Sequence, residues 1–182
     1  ACRTIPPVRA EYSPIGTYET LGDLKTYKIG PVNATAAILI VYNIFGFCPQ
    51  ILQGADLLAQ ATNAQAYMPD FLNGEVADHS WLPPDTEEKM KAFSIFIQGP
   101  PCIPRAVCGT LAVLNNATER NRSRINRRAA LGFCLGCGAV ASQAGAENAF
   151  VAAGGAHPSF MYPDDGTTIT ILFRIHPSKD ED

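Results

Sequence analysis

Apolar positions recur along this chain with two different periods. Thr17–Leu21 and Leu24–Ile29 carry β-branched and aromatic residues on either side of Gly22-Asp23, which predicts two short strands joined in an opening hairpin. Ala37–Tyr42 (AILIVY) is continuously apolar, the pattern of a strand buried on both faces of a parallel sheet. Within Pro49–Ala61 the apolar residues Ile51, Leu52, Ala55, Leu58 and Ala59 fall at helical spacing, and Pro49 sits near the start, where its missing N–H has no intrahelical partner to lose. Gln65–Met68 returns as a short strand ending at Pro69-Asp70.

Beyond it, the segment through Trp81 and Pro83-Pro84 predicts a loop, followed by a helix over Asp85–Ile97 whose Asp-Thr-Glu-Glu start suits a helix N-terminus. Pro100-Pro101 ends that helix, and Val107, Leu111 and Leu114 predict another over Pro104–Ala117. Four further elements follow: a strand at Ala129–Phe133, a helix of small residues at Gly136–Gln143, and strands at Ala149–Ala153 and Thr168–Ile175. Strands alternating with helices predict an α/β fold with an open, mostly parallel central sheet flanked by helices and right-handed crossovers. A binding site in such a sheet lies at the carboxyl ends of the strands. No internal repeat and no Pro-, Gly- or Ser-rich linker divides the chain, so residues 1–182 are expected to form a single domain.

Composition narrows the function classes. The chain has 182 residues, 47% hydrophobic and 17% charged, with a net charge of −3. That length allows a domain to bury roughly 70% of the surface its unfolded form exposes. The charge gives no electrostatic case for nucleic acid, and no apolar run approaches the ~18 residues a membrane span needs. Arg120, Arg122, Arg124, Arg127 and Arg128 form a basic cluster that could attract phosphate, carboxylate or RNA. Without interleaved aromatics for base stacking, a solvated loop is the favoured reading and a nucleic-acid partner is not expected. The six cysteines lack paired metal-ligand spacing, so thiols are expected, with no metal and no cofactor. The first residues lack the basic-then-apolar pattern of a secretory signal. Three Asn-x-Ser/Thr triplets (Asn33, Asn116, Asn121) would matter only in a secreted protein; a cytoplasmic location is the expectation.

The chemistry-bearing motif is Gly132-x-Cys134-x-Gly136, after a strand-like segment and before a helix-like one. Glycines flanking the central residue allow a helix to approach a strand closely while a nucleophile is held on a tight, strained turn. In that reading the Leu135 N–H is one oxyanion donor, and a second comes from the loop after Ala37–Tyr42, near Ile44. The competing reading is that Cys134 is a small buried residue in a glycine-rich turn. A thiol of ordinary pKa, about 8.5, is only a few per cent ionised at neutral pH, so a working Cys134 needs activation.

Several separated blocks then resemble one family. IPPV (Ile5–Val8), GTYETLGDLKTYKIGP (Gly16–Pro31), YNIFGF (Tyr42–Phe47), QGADLLA (Gln53–Ala59), MPDF (Met68–Phe71), WLPPD (Trp81–Asp85), GFCLG (Gly132–Gly136), HPSF (His157–Phe160) and SKDED (Ser178–Asp182) are similar, in this order, to the fungal branch of the dienelactone hydrolase family. The resemblance implies an α/β-hydrolase fold and a Cys–Asp–His triad acting on lactones or carboxylic esters, small-molecule substrates. It assigns the nucleophile to Cys134 and the acid to Asp180. The residue before IFGF, acidic in the family and placed against the resting thiol, is Asn43 here, and an amide is no proton acceptor in the way a carboxylate is. Asn43, Phe45, Trp81 and Phe160 are expected at the pocket, with Tyr42 and Phe47 readable as pocket or core.

The family order is nucleophile, acid, histidine, whereas this sequence stops two residues after Asp180. The expectation is therefore that the family's histidine, last strand and last helix lie outside this chain. Of the three histidines present, His79 is expected to be solvated, while His157 and His176 follow the two strands after the cysteine and are the candidates to serve as base. Asp180 also reads as part of a solvated acidic tail. The first functional expectation is a cysteine hydrolase of lactones or esters whose activity is reduced or lost without the family's histidine. The alternative is a non-enzymatic binding or defence protein on the same scaffold, using the arginine cluster; a fragment of a longer hydrolase is a third. Thr168–Ile175 is expected to be an uncovered sheet edge that could pair two copies as a homodimer.

Overall fold

The computed structural model describes residues 11–99, 113, 116, 124–146 and 150–178. Seven strands form one sheet: β1 (Thr17–Leu21), β2 (Leu24–Ile29), β3 (Ala36–Val41), β4 (Gln65–Pro69), β5 (Arg127–Phe133), β6 (Ala152–Ala156) and β7 (Leu172–His176), in the spatial order β1-β2-β4-β3-β5-β6-β7. The β1–β2 hairpin and the β2–β4 pair are antiparallel; every pairing from β4 across to β7 is parallel. Gly22 and Asp23 both have positive φ, 53° and 65°, the two-residue turn whose twist matches that of the strands it joins. The all-apolar β3 lies between β4 and β5, with Leu39, Ile40 and Val41 buried.

Helices α1 (Pro49–Thr62), α2 (Glu87–Gln98), α3 (Leu135–Ala141) and a four-residue turn of helix, α4 (Asp165–Thr168), connect the strands. In α1 the apolar stripe Ile51, Leu52, Ala55 and Ala59 is buried. Asp56 is buried with it at 1% exposure and accepts hydrogen bonds from the hydroxyls of Tyr12 and Tyr27, both at 2.6 Å, and from the Ile15 N–H at 3.1 Å. A carboxylate taken from water is tolerable only with such partners, and this set ties residues 12–15 and β2 to α1. Burial, then the bond to Asp56, push the Tyr27 hydroxyl well above the usual tyrosine range.

Three expectations shift. The strand expected at Ala149–Ala153 occupies Ala152–Ala156 instead. Thr168 belongs to a helical turn in which the Thr167 and Thr168 hydroxyls bond the carbonyls of Asp164 and Asp165, so the last strand starts at Leu172. His79–Trp81 forms a turn of 3-10 helix where a loop was expected, opened by Asp78 accepting from the Ser80 N–H at 2.8 Å. The helix expected over Pro104–Ala117 lies outside the described residues except for Val113 and Asn116, both helical, with Val113 buried. Among the described residues β7 pairs only with β6, and Leu172 and Ile175 are 76% and 43% exposed.

Candidate active site

Cys134 occupies the turn between β5 and α3, with φ 54° and ψ −117°. A side chain is seldom found there, because its Cβ crowds the backbone. The two glycines of the motif explain how the turn closes. A Cβ on Gly132 would stand 2.3 Å from the Gly136 carbonyl oxygen, and one on Gly136 would stand 2.2 Å from that of Val41. The first glycine therefore lets the helix fold back over its own strand, and the second lets it rest on β3. Cys134 is itself only partly buried, whereas every residue of α3 is buried. Beneath the turn, Cys137 is fully buried with its sulfur 3.2 Å from the Gly132 carbonyl and 3.3 Å from that of Ala156, the contacts of a packing residue. Cys48, Cys134 and Cys137 all carry thiols rather than disulfides.

Because Val41 registers with Gly132, the loop leaving β3 runs beside the turn. Asn43 shapes that loop: its side-chain oxygen accepts from the Phe45 N–H at 2.9 Å, and its carbonyl accepts from the Gly46 N–H at 3.3 Å. The amide oxygen of Asn43 is thus engaged with its own loop. Ile44 is buried, and its carbonyl accepts from the Ala77 N–H at 2.9 Å. Tyr42 belongs to the core, not to a pocket: it is fully buried, stacks on Phe71 at 4.3 Å, donates to Asp70 at 2.6 Å and accepts from the Leu72 N–H at 3.1 Å.

The third wall is the loop after β6. The Cys134 N–H donates to the Ala156 carbonyl at 3.1 Å, and the Ser159 N–H donates back to the Cys134 carbonyl at 3.2 Å. The Cys134 sulfur lies 3.6 Å from the Ser159 hydroxyl. Ser159 was not singled out from sequence, since it lies 25 residues from the cysteine and its hydroxyl arrives only through strand pairing. His157 and His176 stand at the adjoining ends of β6 and β7, where the His157 N–H donates to the His176 carbonyl at 2.9 Å. Phe160 packs its backbone against α3 so closely that a Cβ on Gly138 would come within 2.4 Å of its carbonyl oxygen.

Other candidates are placed differently. His79 is exposed yet not merely solvated, since it stacks on Phe45 with ring centres 4.2 Å apart and planes 10° from parallel. Trp81, two residues on, packs against Phe96 at 5.9 Å. Arg127 and Arg128 begin β5 rather than lying in a loop, about 20 Å along the strand from Cys134; Arg124 is exposed nearby in sequence. Arg120, Arg122 and Asp180 lie outside the described residues. Among the described residues no group of three or more His, Cys, Asp or Glu side chains is placed to hold a metal ion, and no helix is long and apolar enough to cross a membrane.

A cysteine on a strained turn at the carboxyl edge of a mostly parallel, helix-flanked sheet defines the α/β-hydrolase fold. Comparison with known proteins agrees. The model of the dienelactone hydrolase family matches residues 24–175. Two uncharacterised AIM2 family proteins of Schizosaccharomyces pombe are 33% identical over 165 residues, covering 89% of this chain and 64% of the relative, and 31% identical over 164 residues, covering 90% and 65%. The fold is shared with a dienelactone hydrolase-like promiscuous phosphotriesterase, P91, from metagenomic libraries (TM-score 0.60, 16% identity, 90% of this chain and 70% of that one). It is also shared with a hormone-sensitive lipase from a metagenome library (TM-score 0.51, 18% identity, 86% and 47%). This chain belongs to the dienelactone hydrolase family. It spans about 64–65% of the length of the curated relatives it matches.

Proposed function

We propose that this chain is a hydrolase of carboxylic esters or lactones that works by acyl transfer through Cys134. The observation that carries the reading is the backbone of Cys134 at φ 54° on the turn between β5 and α3. Strain at a partly exposed cysteine, maintained by two glycines that admit no side chain, is a cost to the fold that presenting a nucleophile would explain.

In the proposed reaction the Cys134 thiol yields its proton to an imidazole, and its sulfur attacks the substrate carbonyl carbon. The resulting oxyanion is held by the N–H groups of Leu135 and Ile44. Collapse of this intermediate breaks the ester C–O bond, and the leaving oxygen takes the proton back from the imidazole. Water then adds to the thioester, releasing the carboxylic acid and restoring the thiol. His157 and His176 are the candidates for the imidazole, supported by their position at the strand ends beside the turn. The family resemblance assigns Asp180 to orient the family's own histidine, and here it would act only if one of these imidazoles took that place. Phe45, Trp81 and Phe160, with Asn43 fixing the loop, would border the substrate.

The test is hydrolysis of 4-nitrophenyl acetate and of a small lactone by the 182-residue chain and by Cys134→Ala. Turnover that falls by about a thousandfold or more in the variant, with an acyl adduct on Cys134 in mass spectra of the parent, is the expected result. Turnover that survives Cys134→Ala would sink the proposal, and no turnover in either would favour a binding protein.

A further inference from the structure

We infer that Ser159 is a positioning residue that holds the Cys134 sulfur and eases its ionisation. The hydroxyl stands 3.6 Å from the sulfur, within range for a hydrogen bond to so large an atom. The loop bearing it is fixed at three places. Its start is tied to β7 by the His157 N–H on the His176 carbonyl, and Ser159 itself is tied to the turn by its N–H on the Cys134 carbonyl. Its end is pressed onto α3 where the Phe160 carbonyl meets Gly138. His157 and Phe160 both have positive φ, 55° and 58°. Two left-handed non-glycine residues within four positions persist only where their surroundings over-determine them. The hydroxyl is therefore delivered to the sulfur by a rigid frame.

A serine hydroxyl both donates and accepts. While the sulfur is a thiol, the weak S–H donor points to the Ser159 oxygen. Once the sulfur is ionised, the hydroxyl can turn and donate to the thiolate, a charge-assisted bond and the stronger of the two. The difference between these bonds favours the charged form and lowers the thiol pKa.

The importance of this contact rests on Cys134 being the nucleophile, but its existence can be measured without turnover. Alkylation of Cys134 by iodoacetamide is followed against pH in the 182-residue chain by peptide mass spectrometry, in the parent, Ser159→Ala and Ser159→Thr. Removing the hydroxyl leaves the backbone bond to Cys134 intact, so the alanine variant tests the side chain alone. In Ser159→Ala the inflection is expected to rise by about one pH unit. Alkylation at pH 7 is expected to slow by about threefold rather than tenfold, because a more basic thiolate is the better nucleophile. Ser159→Thr, which keeps the hydroxyl, should stay near the parent.

A Ser159→Ala curve superimposed on that of the parent would overturn the inference. Should the alanine variant fail to fold by circular dichroism, Ser159→Gly carries the same expectation and the same overturning result. A shifted curve in a chain that hydrolyses no ester would leave this inference standing while the proposed function fell.

Discussion

Two polar groups sit in opposite conditions on either side of the sheet's centre. Asp56 on α1 is buried and has three donors aimed at its two oxygens; its surroundings ask nothing of it but to stay. Cys134 is partly exposed and sits on a backbone that resists any side chain. The first arrangement is how a chain makes a buried carboxyl group tolerable, by completing its hydrogen bonds. The second spends stability to keep a sulfur at the rim of the sheet. Chemistry is to be sought where the fold gives up energy rather than where it gains it.

Substitution at the two places should therefore move stability in opposite directions. The largest effect is expected at Asp56→Ala, which strands two tyrosine hydroxyls and the Ile15 N–H: urea unfolding should show a loss of about 3 kcal/mol, with the alkylation rate of Cys134 unchanged. A loss well under 1 kcal/mol would mean that water or a neighbouring group replaces the carboxylate, and the contrast would fail on that side. At the turn, Cys134→Gly removes the Cβ from a conformation glycine adopts freely. The variant is expected to be more stable than the parent by about 1 kcal/mol while the proposed hydrolysis is abolished. A glycine variant less stable than the parent would show that the turn is not strained.

The smallest effect concerns pH. Burial, with Glu19 adding a little, raises the Tyr67 hydroxyl to about 12, and burial together with Asp70 raises Tyr42 further. Tyrosines in the unfolded chain ionise near pH 10, so the unfolded state loses these protons first. The tyrosines' contribution is whole below about pH 10 and falls away as pH rises through about 12. Unfolding midpoints measured from pH 8 upward should stay level to about pH 10 and then drop. Tyr67→Phe should soften the drop without altering Cys134.

Much of the fold was legible because its signals are local. The hairpin announces itself through Gly22-Asp23, and β3 through an unbroken apolar run. β6 was misplaced by three residues because its sequence, AAGGA, contains no residue that prefers a strand. Its strand state comes from parallel pairing with β5 and β7, and two of its residues must be glycine: a Cβ on Gly155 would lie 2.6 Å from the Cys137 sulfur, and one on Gly154 would lie 2.7 Å from the Arg174 carbonyl oxygen. The start of β7 was hidden for a different reason, since the hydroxyls of Thr167 and Thr168 bond nearby carbonyls and favour a turn over an extended strand. At the site, the glycine–cysteine–glycine spacing foretold the turn because that geometry is written within five residues. The contact with Ser159 was not foretold, because it depends on how β5 and β6 are paired.

The bareness of β6 carries a consequence for how this rim could ever be retuned. β6 offers nothing larger than a methyl group on either face, and the step from the cysteine turn to the neighbouring strand ends follows the regular spacing of the sheet. Ordinary evolution adjusts a cleft by trading one side chain for a slightly larger or smaller one, but at Gly154 and Gly155 there is no room for even a methyl group. Whatever variety arises among close kin should accordingly be carried by the loops above, leaving the floor unaltered.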